Sequence, residues 1–235
     1  MHYIGILGGM GPAATVDFMT RLLALTPATR DQEHLPVVVA CLPQVPDRSA
    51  AILDHGPDPL PALLHGIRLL NRADVGVIAV PCNTSHHWYS QMSQASAAPI
   101  LHIAEACVER VPPHARTLIL ATRGALHSGF YQRALDARGL TWELPARGDE
   151  QTAVNECIQL VKAGQAEAAG LPLTGVLQQA ARRGIEVVIL ACTELPIALR
   201  HADTQGLKMI DSNEELARTV VNYALAKGWQ SRQCA

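Results

Sequence analysis

Two cysteines stand at equivalent places in this chain, and their positions carry chemistry. Val77-Ile78-Ala79-Val80-Pro81 runs into Cys82-Asn83-Thr84, and Val187-Val188-Ile189-Leu190-Ala191 runs into Cys192-Thr193-Glu194. Each apolar run is short and β-branched, as a buried strand requires. In open α/β sheets, ligands bind beyond the carboxyl ends of the strands. The two thiols are 110 positions apart and can face each other across one cleft. A cysteine after a strand is commonly a small buried hydrophobe. Core packing, however, does not call for Asn-Thr or Thr-Glu after the cysteine in both places. Two opposed thiols suit one reaction class, in which a proton leaves one face of a carbon and another arrives on the opposite face. One thiol then acts as thiolate base and the other as protonated acid. Cys82 has Asn83 and Thr84 beside it as poising groups, and Cys192 has Thr193 and Glu194.

The elements that must position these thiols follow from the apolar pattern. Tyr3 to Leu7 predicts a first strand, Gly8-Gly9-Met10-Gly11-Pro12 a tight loop, and Ala13 to Leu25 a helix with Val16, Met19, Leu22 and Leu23 on one face. Glycines before a helix leave N–H groups free for an anion. The run is neither a dinucleotide fingerprint nor a P-loop, so a plain strand-to-helix turn and an anion-binding loop both stand. Arg30 to His34 is a loop, Val37 to Leu42 a second strand, and Pro43 to Ser49 a Pro-punctuated loop. Arg48 in that loop is suited to clamp a carboxylate. Pro59 to Arg72 is an amphipathic helix through Leu60, Leu63, Leu64, Ile67 and Leu70. Ser85 to Ala95 is helical, with Asn83 and Thr84 as its N-terminal caps, a location that favours a thiolate at Cys82.

Pro99 to His102 reads as a short crossing strand and hinge, followed by a helix from Ile103 to Val111. Thr117 to Gly124 repeats the opening pattern at an offset of about 114, which pairs with the cysteine spacing and indicates two similar halves. Helices are predicted over Phe130–Arg138, Glu150–Lys162 and Ala166–Arg183, the last with Pro172 near its start. Short strands are predicted over Thr141–Leu144 and Met209–Asp211. A closing helix spans Ser212 to Ala226, capped by Ser212 with Glu215 completing a capping box; Ser231 to Ala235 reads as a frayed tail. The fold expected is α/β: two similar open α/β units of mainly parallel sheet, with the site in the cleft between them. Residues 1–98 plus 207–235 form the unit carrying Cys82, and 99–206 the unit carrying Cys192.

Composition narrows the function further. Hydrophobic residues are 49% and charged residues 17%, enough for a sizeable core, and the net charge of −2 has no basic or acidic block. Nucleic acid and anionic membranes are therefore not the expected partners. Apolar runs are too short to span a bilayer and no basic leader precedes the first strand, so a cytoplasmic protein is expected. The six cysteines show no C-x-x-C spacing and the ten histidines no chelating cluster, so neither a structural zinc site nor any other metal is expected.

Gly8-Gly9-Met10-Gly11-Pro12-x-Ala14-Thr15, Arg30-Asp31-Gln32-Glu33-His34, Pro46-Asp47-Arg48, Pro81-Cys82-Asn83-Thr84-x-His86, Ser128-Gly129-x-Tyr131 and Ala191-Cys192-Thr193-Glu194 resemble the aspartate/glutamate racemase family, in its aspartate branch, nearly end to end. The resemblance implies a cofactor-independent amino-acid racemase with Cys82 and Cys192 as the acid/base pair. Cys82 would take the proton from the D-form and Cys192 from the L-form. It implies Met10, Asn83, Thr84, Thr122 and Thr193 as ligands of the amino-acid carboxylate and amine, with Glu194 counted in the same substrate-binding set. Arg48 and Lys162 match the family's basic residues near the side-chain carboxylate, and a homodimer is expected. Departures are Arg123 where the family often has a threonine or other small residue, Ala125 where threonine is common, and His87-Trp88 where smaller residues are usual. A maleate-type cis-trans isomerase of the same superfamily would also use two cysteines, one as nucleophile. A non-catalytic amino-acid-binding protein of the same fold is the alternative outside enzymes. The glycine-methionine loop and Pro46-Asp47-Arg48 favour the racemase, and binding alone needs neither thiol.

Overall fold

The structure, a computed structural model, describes residues 2–146 and 148–230; the predicted tail at 231–235 lies outside the described residues. The chain begins β1 (Tyr3–Gly8), α1 (Pro12–Leu25), β2 (Val37–Cys41), α2 (Arg48–Leu53), α3 (Leu60–Arg72), β3 (Val75–Ala79), α4 (Tyr89–Ala95) and α5 (Ile103–Val108). It continues β4 (Thr117–Ala121), α6 (Arg123–Ser128), α7 (Phe130–Asp136), β5 (Trp142–Glu143), α8 (Asp149–Lys162) and α9 (Ala166–Arg182). It closes with β6 (Val187–Ala191), α10 (Leu195–Leu199), β7 (Lys208–Asp211) and α11 (Ser212–Ala226). Short 3-10 turns lie at Asp31–Glu33, inside the predicted loop, and at Thr84–Trp88.

The strands form two wholly parallel sheets, ordered β2-β1-β3 and β5-β4-β6-β7. Parallel sheets are covered on both faces, so their strands are apolar on both. Along β4, Leu118 and Leu120 enter one core and Ile119 and Ala121 the other. Along β6, Val188, Leu190 and Cys192 enter the first of these cores, and Val187, Ile189 and Ala191 the second. The first sheet divides the same way, with Ile4, Ile6, Val77 and Ala79 on one face and Leu7, Ile78 and Val80 on the other. The α/β fold of two parallel sheets is thus as the sequence predicts. Ile100 makes the crossing contact, a parallel bridge to Ile78. Within the stretch 207–235, β7 pairs with β6 in the second sheet, whereas α11 packs against the first.

Several local expectations are corrected. α1 is rotated: Ala14, Thr15, Asp17, Phe18 and Leu22 face inward, while Val16, Met19 and Leu23 are exposed at 65%, 38% and 56%. The inward face carries Phe18 and Leu22 into the core, and beside them Asp17, whose carboxylate accepts from Arg21 at 2.6 Å, Arg200 at 2.7 Å and Asn213 at 3.0 Å. The predicted loop through Ser49 ends early, because Asp47 caps α2 by accepting from the Ala50 N–H. Ser212 does not cap α11. Asp211 does, accepting from the N–H groups of Asn213 and Glu214 at 2.8 and 3.3 Å. Pro172 lies inside α9, which runs through it. Asn83 and Thr84 make no cap, since their side chains are used elsewhere and the chain after Cys82 is a 3-10 turn before α4 begins.

Candidate active site

The loops that follow the carboxyl ends of the parallel strands converge on one cleft. It is lined by Met10 after β1, Asp47, Arg48 and Ser49 after β2, Cys82, Asn83 and Thr84 after β3, Thr122 after β4, and Cys192, Thr193 and Glu194 after β6. Lys162 joins them from the last turn of α8. Every site residue singled out in the sequence lines this cleft. Asp47 and Ser49 were not singled out, although Asp47 belongs to the quoted Pro-Asp-Arg motif. Gly9 shapes the approach. It has φ +93°, and a Cβ there would collide with the backbone of Leu42 and Pro43. Its N–H donates to Thr15 Oγ1 at 2.9 Å. Gly124 is a second close approach: a Cβ would stand 2.9 Å from Ser49 Cα, so α6 of one half seats against α2 of the other.

The side chains following Cys82 reach across to the elements around the second sheet. Asn83 Oδ1 accepts from Tyr131 Oη at 2.6 Å, and Asn83 Nδ2 donates to Ser212 Oγ at 2.9 Å. The Thr84 and Thr122 hydroxyls are 2.9 Å apart. His86 holds the Cys82 backbone. Its Nε2 accepts the Ile103 N–H at 3.3 Å, which leaves the proton on Nδ1 to donate to the Cys82 carbonyl at 3.0 Å. Burial, with His102 adding to it, pushes His86 down to about 3, so it is the neutral imidazole that makes both bonds. His87 and Trp88 point away from the cleft: His87 Nδ1 meets Ser128 Oγ at 2.8 Å, and Trp88 packs into the core of the first half.

Each thiol is 5% exposed and belongs to an apolar core as well as to the cleft wall. Their polar neighbours differ in sign. Cys82 Sγ accepts from the Ser85 hydroxyl at 3.0 Å. Cys192 Sγ donates to Glu194 Oε2 at 3.0 Å. Burial first, then the Glu194 charge and the hydrogen bond to it, hold the Cys192 thiol well above the ordinary thiol range, with Lys162 opposing. Arg48 is held by carbonyls: its Nη1 donates to Val45 and Pro46 at 3.0 and 2.9 Å, and its Nη2 to Met10 at 3.4 Å. A second hollow, lined by Arg123, Asn155, Gln159 and Lys162 among others, adjoins the cleft through Asp47, Ser49 and Thr122.

The pattern of the Asp/Glu/Hydantoin racemase family matches residues 7–220. The chain belongs to that family. It is 30% identical over 228 residues to the broad specificity amino-acid racemase RacX of Bacillus subtilis (strain 168), covering 95% of this chain and 98% of that protein. Among solved structures, the aspartate racemase of Picrophilus torridus superposes with a TM-score of 0.85 at 29% identity, over 95% of this chain and 94% of that one. A glutamate racemase from Francisella tularensis subsp. tularensis SCHU S4, solved with D-glutamate, shares the fold with a TM-score of 0.70 at 16% identity, over 99% and 84% of the two chains. The protein is accordingly an isomerase of the racemase type. No helix among the described residues is long and apolar enough to cross a membrane. Among the described residues no group of three or more His, Cys, Asp or Glu is placed to hold a metal ion.

The His86 tether sets a pH dependence of stability. The folded protein keeps His86 neutral down to about 3, whereas the unfolded chain takes up that proton near 6.5. Stability is therefore full above that ordinary value and is lost as pH falls from there toward about 3. Melting temperature followed over acidic pH should fall less steeply in His86→Asn than in the wild type. The remaining slope includes His102, which burial pushes to about 4. Parallel curves would show that His86 is protonated in the folded state.

Proposed function

We propose that this racemase inverts aspartate or glutamate at Cα by two-thiol proton transfer, without pyridoxal phosphate or metal. One sulfur takes the Cα proton, the carbanion is held by its carboxylate and amine ligands, and the other sulfur returns a proton to the opposite face. The observation that carries this reading is the presence of both thiols in one cleft with polar neighbours of opposite kind. Glu194 keeps the Cys192 proton in place, as an acid requires, and Cys82 is the base for the D-form. Met10, Asn83, Thr84, Thr122 and Thr193 hold the substrate's α-carboxylate and amine. Asn83 retains one amide hydrogen beyond its bond to Ser212 for this task. In this reading the two working halves are residues 1–98 plus 207–235 and residues 99–206, with β7 of the returning stretch pairing into the second sheet, and the protein works in the cytoplasm.

Replacing either Cys82 or Cys192 by alanine should abolish racemisation, because both a base and an acid are needed. In deuterated water, Cys192→Ala is expected to retain slow Cα exchange of D-aspartate, and Cys82→Ala that of L-aspartate, each without inversion. Chiral chromatography decides the matter: near wild-type inversion in either single variant removes the two-base mechanism.

Arg48 and Lys162 supply the positive charge for the side-chain carboxylate. Neither enters an ion pair among the described residues, so both charges remain available in the cleft. Loss of one charge-assisted bond costs about 1.5–3 kcal/mol, roughly ten- to a hundredfold in affinity. Arg48→Ala should therefore lower aspartate turnover relative to alanine turnover. Since Arg48 also ties the Met10 loop, a general loss would lower both, and an unchanged ratio excludes Arg48 from side-chain recognition.

The exposed stripe of Val16, Met19 and Leu23 on α1 borders an apolar groove formed with Leu35 and Val37, and this face is the one we assign to a homodimer. Sedimentation equilibrium should give a dimer for the wild type and a monomer for Val16→Glu/Leu23→Glu. A wild-type monomer at micromolar concentration would refute the assignment.

A further inference from the structure

Ser85 is fully buried, in the 3-10 turn that follows Cys82. Its hydroxyl lies 3.0 Å from Cys82 Sγ and 3.2 Å from Met10 Sδ. A serine hydroxyl carries one proton, so it serves one of these acceptors at a time. Both are weak acceptors while Cys82 is a thiol. A thiolate at Cys82 is a much stronger acceptor, because hydrogen bonds to an ionised partner are about twice as strong as neutral ones. The hydroxyl therefore distinguishes the two protonation states of Cys82. Among the described residues no hydroxyl stands against the second thiol in this way. The residue three positions after Cys192 is Leu195, the side-chain group on Cys192 is an acceptor, Glu194, and the donor that favours its thiolate is the fixed Glu194 backbone N–H.

We propose that Ser85 is a positioning residue for proton transfer: its hydroxyl turns onto Cys82 Sγ when that sulfur is the thiolate base, and onto Met10 Sδ when the sulfur carries the proton. The inference rests on the two-thiol reading and adds to it a group that stabilises one of the two charge states. No bond other than the hydrogen bond changes, and the Cα proton passes to Cys82 Sγ as before. Direction follows from the same arrangement. Ser85 favours the state in which Cys82 is base and Cys192 is acid, which is the state that receives the D-enantiomer.

The test is the pH profile of Cys82 alkylation by iodoacetamide in the intact protein, read peptide by peptide by mass spectrometry so that the other thiols do not interfere. In Ser85→Ala the midpoint should move up by roughly one pH unit, about tenfold in reactive thiolate at a fixed pH. The acid limb of kcat/KM for D-aspartate should move with it. In Met10→Leu the competing acceptor is gone and the thiol state loses its support, so the midpoint should move down. A merely structural role for Ser85 would lower kcat and leave the midpoint in place, and that result in folded Ser85→Ala overturns the proposal. If Ser85→Ala fails to fold, an unmoved or raised midpoint in Met10→Leu does so instead. Failure of the underlying reading looks different: Cys82→Ala would keep racemising, whatever the alkylation midpoints show.

Discussion

The cleft depends on a short polar seam between its two walls. Asn83 is 3% exposed and follows a thiol on the first half. Its amide is satisfied by Tyr131 at the start of α7 and by Ser212 at the start of α11, and Thr84 meets Thr122 beside it. Buried polar groups are costly unless paired. The pairings with Tyr131 and Thr122 exist only when the ends of the two sheets face each other, so polar satisfaction favours the approach of the two walls. Arg200, just after α10, reaching Asp17 on α1 at 2.7 Å, extends the same kind of tie away from the cleft.

Within that frame, parallel strands supply the geometry of the site. All strands of a parallel sheet end on the same side, so their loops share one edge, and two such edges placed together make a cleft lined from both halves. The apolar strands also bring their cysteines into the cores, which is why each thiol is both packing and cleft wall. Burial disfavours a thiolate at Cys192. The hydrogen-bond partner then decides how each thiol behaves. A hydroxyl proton points at Cys82 and a carboxylate oxygen faces the Cys192 proton, an asymmetry between two otherwise similar halves.

The cost of burying charge is visible in α1. Apolar side chains lie on two faces of this helix, Val16, Met19 and Leu23 on one, Phe18 and Leu22 on the other, and the face with the Phe18 ring is buried. Asp17 shares that buried face. A buried carboxylate must be surrounded by donors, and Arg21 on the same helix, Arg200 just after α10 and Asn213 on α11 provide them. The other face leaves an apolar stripe outside.

By itself, the sequence determined the α/β class, the order of strands and main helices, and the residues that gather at the cleft. Those properties are local: short continuous apolar runs, glycines at loops, and a repeated strand-cysteine-polar pattern survive without knowledge of the partners. Tertiary structure decided what each polar side chain is for. Asn83, Thr84 and Ser212 have the composition of helix caps, yet each spends its side chain on a residue distant in the chain, and Asp211 caps α11 in place of Ser212. Ser85 read only as the start of a helix until the 3-10 turn set its hydroxyl against Cys82. A side-chain hydrogen bond needs its partner within about 3 Å. That proximity comes from the packing of elements far apart in sequence, and no local pattern encodes it.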